Sequence, residues 1–518
     1  MTLSAPATEV TKHHRLLTRR PNLVATIAFA ALTLLAACVE NSTAPTPEPL
    51  ATQIPIFTTP GASNAAATPP AALTNAQVAE TLRALVCWYD DLSFVDHCLP
   101  IGIDEAELLE SIALSRDERF TAPLVDLLWL ELGWERWVHE ALTAITGERL
   151  ANGYEWSLWL AAERPPLPDG YVQWKGRLLS LIDPRYTELL PADLNLAIRP
   201  DELVWTRTAP DETPPLVNPD VVHRIDERYL ADDDIVFGLF VDGQARAYPE
   251  RILAWHELAT DLLNERPILI IHCTPCGGAA AYEAATTDGK RYTFGNSGLA
   301  YRSRRVLYDQ ETNSLWDQLT GQPIAGIAIT RDISLISHTL VRTTWAEWAA
   351  RHPNTTVLAL DTGTIRNYDA GIALAEDTAT AVPLFPSPIP QPISDNDITE
   401  PKALVVGLTI QGESRAYPIA LVQSFGILHD TLGGQDIALV SLGLGVTAYR
   451  EHEITIDYLS GPSDALEAID TDGERWFLDE EKLVNVIDSR LRRALPLRIT
   501  YWFAWHDAYP ETTLASAN

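Results

Sequence analysis

Two cysteines separated by two residues, Cys273 and Cys276, are the side chains of this sequence best suited to chemistry. They follow an apolar run at residues 268–271 and His272, and two glycines come directly after them. This order predicts a buried strand that ends in a tight turn and presents both thiols together. Two thiols at this spacing can open and close a disulfide, or they can share a metal ion.

The first interpretation of the cysteine pair is thiol redox chemistry, either thiol–disulfide exchange or reaction with a peroxide. The thiolate is the reacting form, and a neighbouring cation or hydrogen-bond donor lowers the pKa of its thiol. The catalytic candidates are Cys273, Cys276, His272, His256 and Arg246. The residues predicted to bind a substrate or to wall the site are Asn296, Ser297, Trp255 and Trp316.

Two other interpretations of the same pair stay open. Copper, zinc or iron could be bound by Cys273, Cys276 and His256, because Cys-x-x-Cys-Gly after a strand is typical of half a metal knuckle. A closed four-ligand site is disfavoured, since His272 and Cys273 are adjacent and would lie on opposite faces of a strand. The cofactor is therefore either none or a thiol-bound metal ion. In the third interpretation the cysteines form a structural disulfide in a non-catalytic surface scaffold or binding module.

The segment that contains the cysteines has a counterpart later in the chain. Residues 238–249 match residues 407–418, and both stretches end in Arg-Ala-Tyr-Pro. The match continues through the apolar run before the cysteines, and later in each copy a Trp-x-x-Trp pattern leads to Pro-x-Thr-Thr. In the second copy Leu-Gly-Leu-Gly at 442–445 falls where the cysteines would be. Only the first copy is therefore predicted to carry the site.

These patterns predict an α+β fold with two repeated mixed α/β domains, each β-rich with hairpins and one helix, preceded by a small all-α region. The first repeat covers 233–372, the second covers 402–518 and lacks the site, and a stiff Pro-rich linker at 382–401 joins them. In the first repeat we expect a hairpin across Asp242 and Gly243, a helix over 250–263 and a strand over 267–272. The alanine-rich run after the cysteines has a strand-like counterpart, so we predict a strand there too.

The N-terminus has the pattern of a targeting signal. Basic residues at 12–20 precede an apolar run at 23–37, which leads directly into Cys38 as Leu-Ala-Ala-Cys. The pattern predicts a signal peptide at 1–37, and it resembles a bacterial lipoprotein box, in which Cys38 is the lipidated first residue. An ordinary signal peptide or a membrane anchor is the alternative. We expect a lipid-anchored protein on the extracytoplasmic face of the cell membrane, with a disordered Pro/Thr/Ala-rich tether at 38–73.

Residues 74–164 carry apolar residues at helical spacing and are predicted to form a small HEAT-like array of antiparallel helices. Cys87 and Cys98 lie in this region, and outside the cytoplasm their simplest use is a structural disulfide. The alternative is that they add two ligands to the pair at Cys273 and Cys276. Residues 165–232 contain several proline turns and are interpreted as a connector.

The net charge limits the partners that this chain can have. It is −32 at pH 7, and loss of residues 1–37, which carry a net +3, would leave about −35. Such an acidic surface repels phosphate backbones, so we expect no nucleic-acid partner. The expected partners are the membrane, through a lipid on Cys38, and a redox partner protein.

Five stretches resemble a bacterial and archaeal family catalogued as domain of unknown function 3179 (DUF3179). They are Ala-Arg-Ala-Tyr-Pro at 245–249, Leu-Ala-Trp-His at 253–256, Cys-Thr-Pro-Cys-Gly at 273–277, Thr-Phe-Gly-Asn-Ser-Gly-Leu at 293–299, and the run from Tyr-Asp-Gln to Leu-Thr-Gly at 308–321. The resemblance spans roughly residues 120–518 and brings no established activity. Some relatives replace a cysteine with selenocysteine, which implies redox chemistry at Cys273 or Cys276. This chain has Thr274 and Pro275 between the cysteines, whereas relatives more often have proline directly after the first one.

Overall fold

The computed structural model of the chain describes residues 72–87, 105–302, 304–371, 402–452, 454–462 and 465–516. The predicted signal peptide, the predicted lipidation residue Cys38, Cys98 and the predicted linker at 382–401 lie outside the described residues. So do most of the predicted tether and the side chain of Cys87. In the described part of the chain, no helix is both long and apolar enough to cross a membrane.

α-Helices dominate the N-terminal part of the described chain and occur singly among the strands that follow. In chain order they are α1 Asn75–Cys87, α2 Glu105–Ser115, α3 Thr121–Leu130, α4 Glu135–Thr146, α5 Gly153–Glu163, α6 Tyr171–Ser180, α7 Tyr186–Leu189, α8 Glu250–His256, α9 Trp345–Arg351, α10 Ile419–Phe425 and α11 Trp502–Ala508.

The first six helices share one apolar core. In α1, Val78, Leu82 and Leu85 recur at helical spacing and are buried in it. Trp174 of α6 packs into the same core and donates its Nε1 hydrogen to the carbonyl oxygen of Leu82 at 2.8 Å. Part of the predicted connector therefore packs with the helical region that precedes it.

The strands are numbered along the chain. Up to the gap at 372–401 they are β1 Leu203–Trp205, β2 Leu216–Val217, β3 Val221–His223, β4 Ile235–Val241, β5 Gln244–Pro249, β6 Leu258–Leu263, β7 Arg266–Cys273, β8 Gly278–Thr286, β9 Phe294–Tyr301, β10 Arg304–Asp309, β11 Leu315–Asp317, β12 Gln322–Ala325, β13 Leu335–His338, β14 Leu340–Thr344 and β15 Thr356–Leu358. After the gap they are β16 Leu404–Ile410, β17 Glu413–Pro418, β18 Ile427–Leu432, β19 Gln435–Leu442, β20 Gly445–Arg450, β21 Ile456–Ser460, β22 Glu467–Asp470, β23 Arg475–Leu478, β24 Lys482–Asn485, β25 Leu491–Arg493, β26 Arg498–Tyr501 and β27 Thr513–Leu514.

The longest sheet joins strands from distant parts of the chain. Its order is β2-β6-β7-β8-β26-β16-β17-β27, and β13 also pairs with β8. The junction between β8 and β26 is a single antiparallel pairing of Ala279 with Ile499. The other described sheets have the orders β14-β4-β5-β15-β3, β1-β9-β10-β11-β12, β18-β19-β20 and β21-β22-β23-β24-β25.

Two runs of elements have the same order and the same pairing. One is β4-β5-α8-β6-β7-β8 followed by β14-α9-β15, and the other is β16-β17-α10-β18-β19-β20 followed by β26-α11-β27. In each run a four-stranded set ends in a parallel pair, β5 with β15 or β17 with β27, and a three-stranded antiparallel set stands beside it. We call residues 235–371 the first half and residues 402–516 the second half.

One Arg–Asp ion pair occupies the same place in each half; it is buried in the first half and partly exposed in the second. In the first half Arg246 pairs with Asp261, and the hydroxyl of Tyr248 donates to the same carboxylate at 2.8 Å. The contacts of this triad recur in the second half among Arg415, Asp430 and Tyr417. Arg246 is thus held in the framework of the first half.

The predicted helix over 250–263 is wrong in its second part. α8 ends at His256, Glu257 has a left-handed φ of +58°, and residues from Leu258 onward form β6, which pairs antiparallel with β7. Leu258 and Ala259 are buried in different apolar clusters, as alternating side chains of a strand must be. The predicted hairpin across Asp242 and the strands on both sides of the cysteines are confirmed as β4–β5, β7 and β8.

Candidate functional site

The connection between β7 and β8 carries the cysteine pair. Cys273 ends β7 and pairs across the hairpin with Gly278, so that four residues connect them. Cys273 and Cys276 form a disulfide, with 5.3 Å between their Cα atoms. The matching hairpin of the second half closes from Leu442 to Gly445 with two residues between them. The connection in the first half is therefore two residues longer than its counterpart.

This loop packs on the strand and helix at the end of the second half. The carbonyl oxygen of Cys276 accepts hydrogen bonds from the main-chain nitrogen of Tyr501 and from Oγ1 of Thr500, both at 2.8 Å. Gly277 has φ of +59°, and a Cβ there would lie 2.2 Å from the ring of Tyr501. A glycine is needed at this position because both the backbone angle and the close ring exclude a side chain.

The disulfide is buried in an apolar shell. Cys273 and Cys276 are each 1% exposed. The apolar residues clustered with the pair are Leu404, Tyr501, Phe503 and Ala504. All four belong to the second half, so the site is completed only when the two halves are packed together.

Each sulfur has an N–H donor. The main-chain nitrogen of Cys276 donates to Sγ of Cys273 at 3.2 Å, and Nε2 of Gln318 donates to Sγ of Cys276 at 3.0 Å. Hydrogen-bond donors stabilise a thiolate, whereas burial favours the neutral thiol. After reduction of the disulfide, these donors are placed to hold a negative charge on either sulfur.

His272 lies on the other face of β7, as its position next to Cys273 requires. Its ring packs against Phe237 with 5.5 Å between centroids, and its Nε2 is 3.9 Å from Oε1 of Glu250. Burial, with the nearby positive charge of Arg342, lowers the pKa of His272 to about 3. His272 is therefore neutral at ordinary pH and supplies no cation to the sulfurs.

The burial of His272 predicts a pH dependence of stability. The pKa of His272 is about 3 in the folded chain and about 6.5 in an unfolded one, so only the unfolded chain binds the extra proton between these values. The free energy of unfolding should fall as the pH falls from about 6.5 to 3, and His272 should account for on the order of 4 kcal/mol of that loss. Above pH 6.5, His272 should make no contribution that changes with pH.

Chemical denaturation of wild type and of His272→Gln at several pH values measures this contribution. The difference between the two proteins should shrink as the pH falls. His429→Gln, at an exposed histidine whose Nδ1 lies 2.9 Å from Oε2 of Glu451, is the comparison. A constant difference between wild type and His272→Gln from pH 7 to 4 would show that His272 does not stay neutral in the fold.

The other predicted catalytic residues are engaged away from the sulfurs. Nδ1 of His256 lies 2.8 Å from the carbonyl oxygen of Pro214, and its Nε2 lies 2.7 Å from the hydroxyl of Tyr368. Burial lowers the pKa of His256. Arg246 is held by Asp261, as described above. His256 and Arg246 therefore join elements of the fold.

The predicted substrate-binding residues also have partners within the fold. On β9, Asn296 donates its side-chain amide to the carbonyl oxygen of Thr213 at 2.9 Å, and Ser297 donates to the carbonyl oxygen of Val306. Trp255 donates to the carbonyl oxygen of Asn367 at 3.0 Å. Trp316 is fully buried and donates to Asp309 at 2.8 Å. None of these four hydrogen bonds reaches Cys273 or Cys276.

The metal interpretation lacks further ligands within the described ranges. No group of three or more His, Cys, Asp or Glu side chains there is close enough together to hold an ion. His256, the predicted third ligand, has a carbonyl oxygen and a hydroxyl beside its two ring nitrogens.

Sequence reasoning did not identify Gln318, Thr500, Tyr501 or Phe503 as site residues. A signal existed for Gln318, which lies inside the stretch at 308–321 that resembles the family. Thr500 and Tyr501 directly precede the Trp-x-x-Trp pattern of the second copy, and Phe503 lies within it. These three reach the cysteines only through the packing of the halves.

Comparison with known protein families gives a match over more than half of the chain. A family model described as "Protein of unknown function (DUF3179)" matches residues 210–512, which include the cysteine loop and nearly all of the second half. No curated protein and no solved structure matches the chain.

Proposed function

The chain belongs to the DUF3179 family, whose description states no activity, and we therefore propose its function from its own site: it is a thiol redox protein in which Cys273 and Cys276 alternate between disulfide and dithiol. The observation that carries the proposal is the disulfide in a loop that the matching hairpin of the second half lacks. Each sulfur also has an N–H donor that can stabilise a thiolate.

The reaction cycle transfers two electrons. A thiolate of a reduced partner attacks one sulfur of the disulfide, the Cys273–Cys276 bond breaks, and the other sulfur leaves as a thiolate. A second thiol of the partner then breaks the mixed disulfide and releases the reduced pair. The partner is oxidised to a disulfide, and the two protons of its thiols pass to the two cysteines. The reverse sequence oxidises the pair.

The midpoint potential of the pair tests this function. The full chain is equilibrated in thiol–disulfide buffers of graded potential, alkylated, digested and analysed by mass spectrometry. Redox-active pairs have midpoints between about −120 and −270 mV, and we expect Cys273 and Cys276 in that range. A midpoint below about −300 mV, typical of structural disulfides, would contradict the proposal. Cys276→Ser is the control that assigns the signal to this pair.

We also propose that the two halves are copies of one unit, of which only the first keeps a site. The support is the shared order of elements and the shared Arg–Asp–Tyr contacts. A second shared contact joins a tryptophan Nε1 to a threonine hydroxyl, from Trp348 to Thr355 at 2.9 Å and from Trp505 to Thr512 at 2.8 Å.

The location remains part of the proposal. A lipid on Cys38 would hold the chain at the extracytoplasmic face of the membrane, where a disulfide persists. The support is the Leu-Ala-Ala-Cys pattern. Metabolic labelling with a fatty acid tests the lipid anchor: wild type should incorporate label and Cys38→Ser should not.

The N-terminal helices are proposed to be a HEAT-like surface for the redox partner.

A further inference from the structure

A small cavity adjoins Cys276 and does not include Cys273. Its volume is about 10 Å³. This is close to the smallest volume that accommodates one water molecule, about 10–15 Å³. Its apolar walls include Ile271, Leu319 and Ile499.

Gln318 is the polar group of this cavity whose bonding is incomplete. Its side chain is buried, with only 4% exposure, and its Nε2 donates to Sγ of Cys276. Its Oε1 is buried and has no hydrogen-bond partner among the residues that the structure describes. An unsatisfied buried acceptor costs free energy, and a small molecule that donates a hydrogen bond in the cavity would remove that cost.

Building on the proposed redox function, we propose that Cys276 is the sulfur that meets the oxidant, and that the oxidant is hydrogen peroxide bound beside Gln318. Hydrogen peroxide has two oxygen atoms where water has one, so a cavity of about 10 Å³ must widen slightly to admit it. Once bound, it can donate an O–H to Oε1 of Gln318 while an oxygen faces the sulfur. An alkyl hydroperoxide carries a bulky group that the walls exclude.

The reaction is balanced by the two cysteines. The thiolate of Cys276 attacks one peroxide oxygen, the O–O bond breaks, and the departing hydroxide takes up the proton that the thiol lost and becomes water. The Cys276 sulfenic acid is then attacked by the thiol of Cys273, the S–O bond breaks, and a second water leaves with the thiol proton. Two thiols lose two electrons and the peroxide gains them. An external dithiol, oxidised in turn to a disulfide, restores the reduced pair.

Cys273 is placed to complete this reaction. Its Sγ accepts a hydrogen bond from the main-chain nitrogen of Cys276, and the two Cα atoms are 5.3 Å apart in the disulfide. Cys273 therefore has the role of the resolving thiol, while Gln318 has that of a positioning residue, since it holds both the sulfur and the oxidant.

The test traps the sulfenic acid. The full chain is reduced, freed of reductant and treated with hydrogen peroxide or cumene hydroperoxide in the presence of dimedone, and the labelled peptides are identified by mass spectrometry. In Cys273→Ser we expect dimedone on Cys276, formed at least tenfold faster with hydrogen peroxide than with cumene hydroperoxide. In Cys276→Ser we expect at least tenfold slower labelling of Cys273. Equal rates for the two peroxides, or faster labelling of Cys273, would overturn the proposal.

Gln318→Leu tests the positioning role at similar side-chain volume. It should slow labelling of Cys276 by hydrogen peroxide at least tenfold, and Gln322→Leu, an exposed glutamine of the same β11–β12 hairpin, should leave it unchanged. Unchanged labelling in Gln318→Leu would reject the role of this residue. The rate at which reduced wild type forms its disulfide with each peroxide gives the same size comparison without any substitution.

The two proposals fail separately. A reversible midpoint potential without a sulfenic acid leaves the redox function standing and removes hydrogen peroxide as the oxidant. A pair that cannot be reduced in the folded chain removes both.

Discussion

Asp261→Asn is expected to lower the free energy of unfolding by about 3–5 kcal/mol, because it leaves the buried guanidinium of Arg246 without its counter-charge. The side chain of Asp261 is 4% exposed, and that of Arg246 is 8% exposed. The carboxylate also accepts the hydroxyl hydrogen of Tyr248, so one substitution disturbs two buried groups. Urea denaturation followed by tryptophan fluorescence measures the loss.

The second half provides a matched control. Asp430→Asn removes the same group from the same triad, but the side chains of Asp430 and Arg415 are 22% and 23% exposed. Water can solvate the remaining guanidinium, so the loss should be less than half of that for Asp261→Asn. Equal losses would mean that burial does not set the cost. Replacing Asp261 and Arg246 together by Leu and Met should recover the part of the loss that comes from the unpaired charge, but not the part that comes from the buried hydroxyl of Tyr248, which loses its acceptor.

Gly278→Ala is expected to destabilise the chain by about 3 kcal/mol and to separate β8 from β26. A Cβ at Gly278 would lie 2.4 Å from the main-chain oxygen of Ile499 and 3.0 Å from Cβ of Thr500. The obstacle is backbone, which cannot rotate away as a side-chain end can. The cysteine loop is bonded to the same strand, so its disulfide should also become easier for a reductant to reach.

Denaturation midpoints and the rate of reduction by dithiothreitol report these two effects. Gly153→Ala is the control, because Gly153 lies at the start of a helix and a Cβ there would make an ordinary contact of 3.4 Å with Leu128. It should be neutral or slightly stabilising. A Gly278→Ala protein with wild-type stability and wild-type reduction rate would show that the close approach of β8 and β26 is not needed.

Local sequence patterns were sufficient to predict those elements whose hydrogen bonds join residues close together in the sequence. The two-residue turn at Asp242 and Gly243 predicts the β4–β5 hairpin, because turn geometry and strand pairing lie within a few residues of each other. The cysteine loop could be predicted for the same reason, because an apolar strand is followed within a few residues by two glycines. The helix predicted over 250–263 was too long because β6 takes its conformation from pairing with β7, a contact that helical spacing alone does not report.

The composition of the site could be predicted only in part. Cys273 and Cys276 are recognisable by type and spacing. Gln318 lies 42 residues beyond Cys276, and Thr500 lies 224 residues beyond it, so the hydrogen bonds they make depend on how distant strands meet. The histidines were predicted as catalytic residues from their residue type alone. Desolvation lowers the pKa of His272, and only the fold shows that His272 is buried.

The sheet that runs through both halves has a consequence for how this protein can be cut or expressed. If the chain ended before β16, β8 would lose its neighbour β26 at Ala279, the part of that edge with which β13 does not pair, and the apolar residues that cover the disulfide would be lost as well. Exposed edges of apolar strands are templates for intermolecular pairing. A first half produced alone should therefore be prone to aggregate, and the second half, with no cysteine pair of its own, serves as the cover that keeps that edge from other chains.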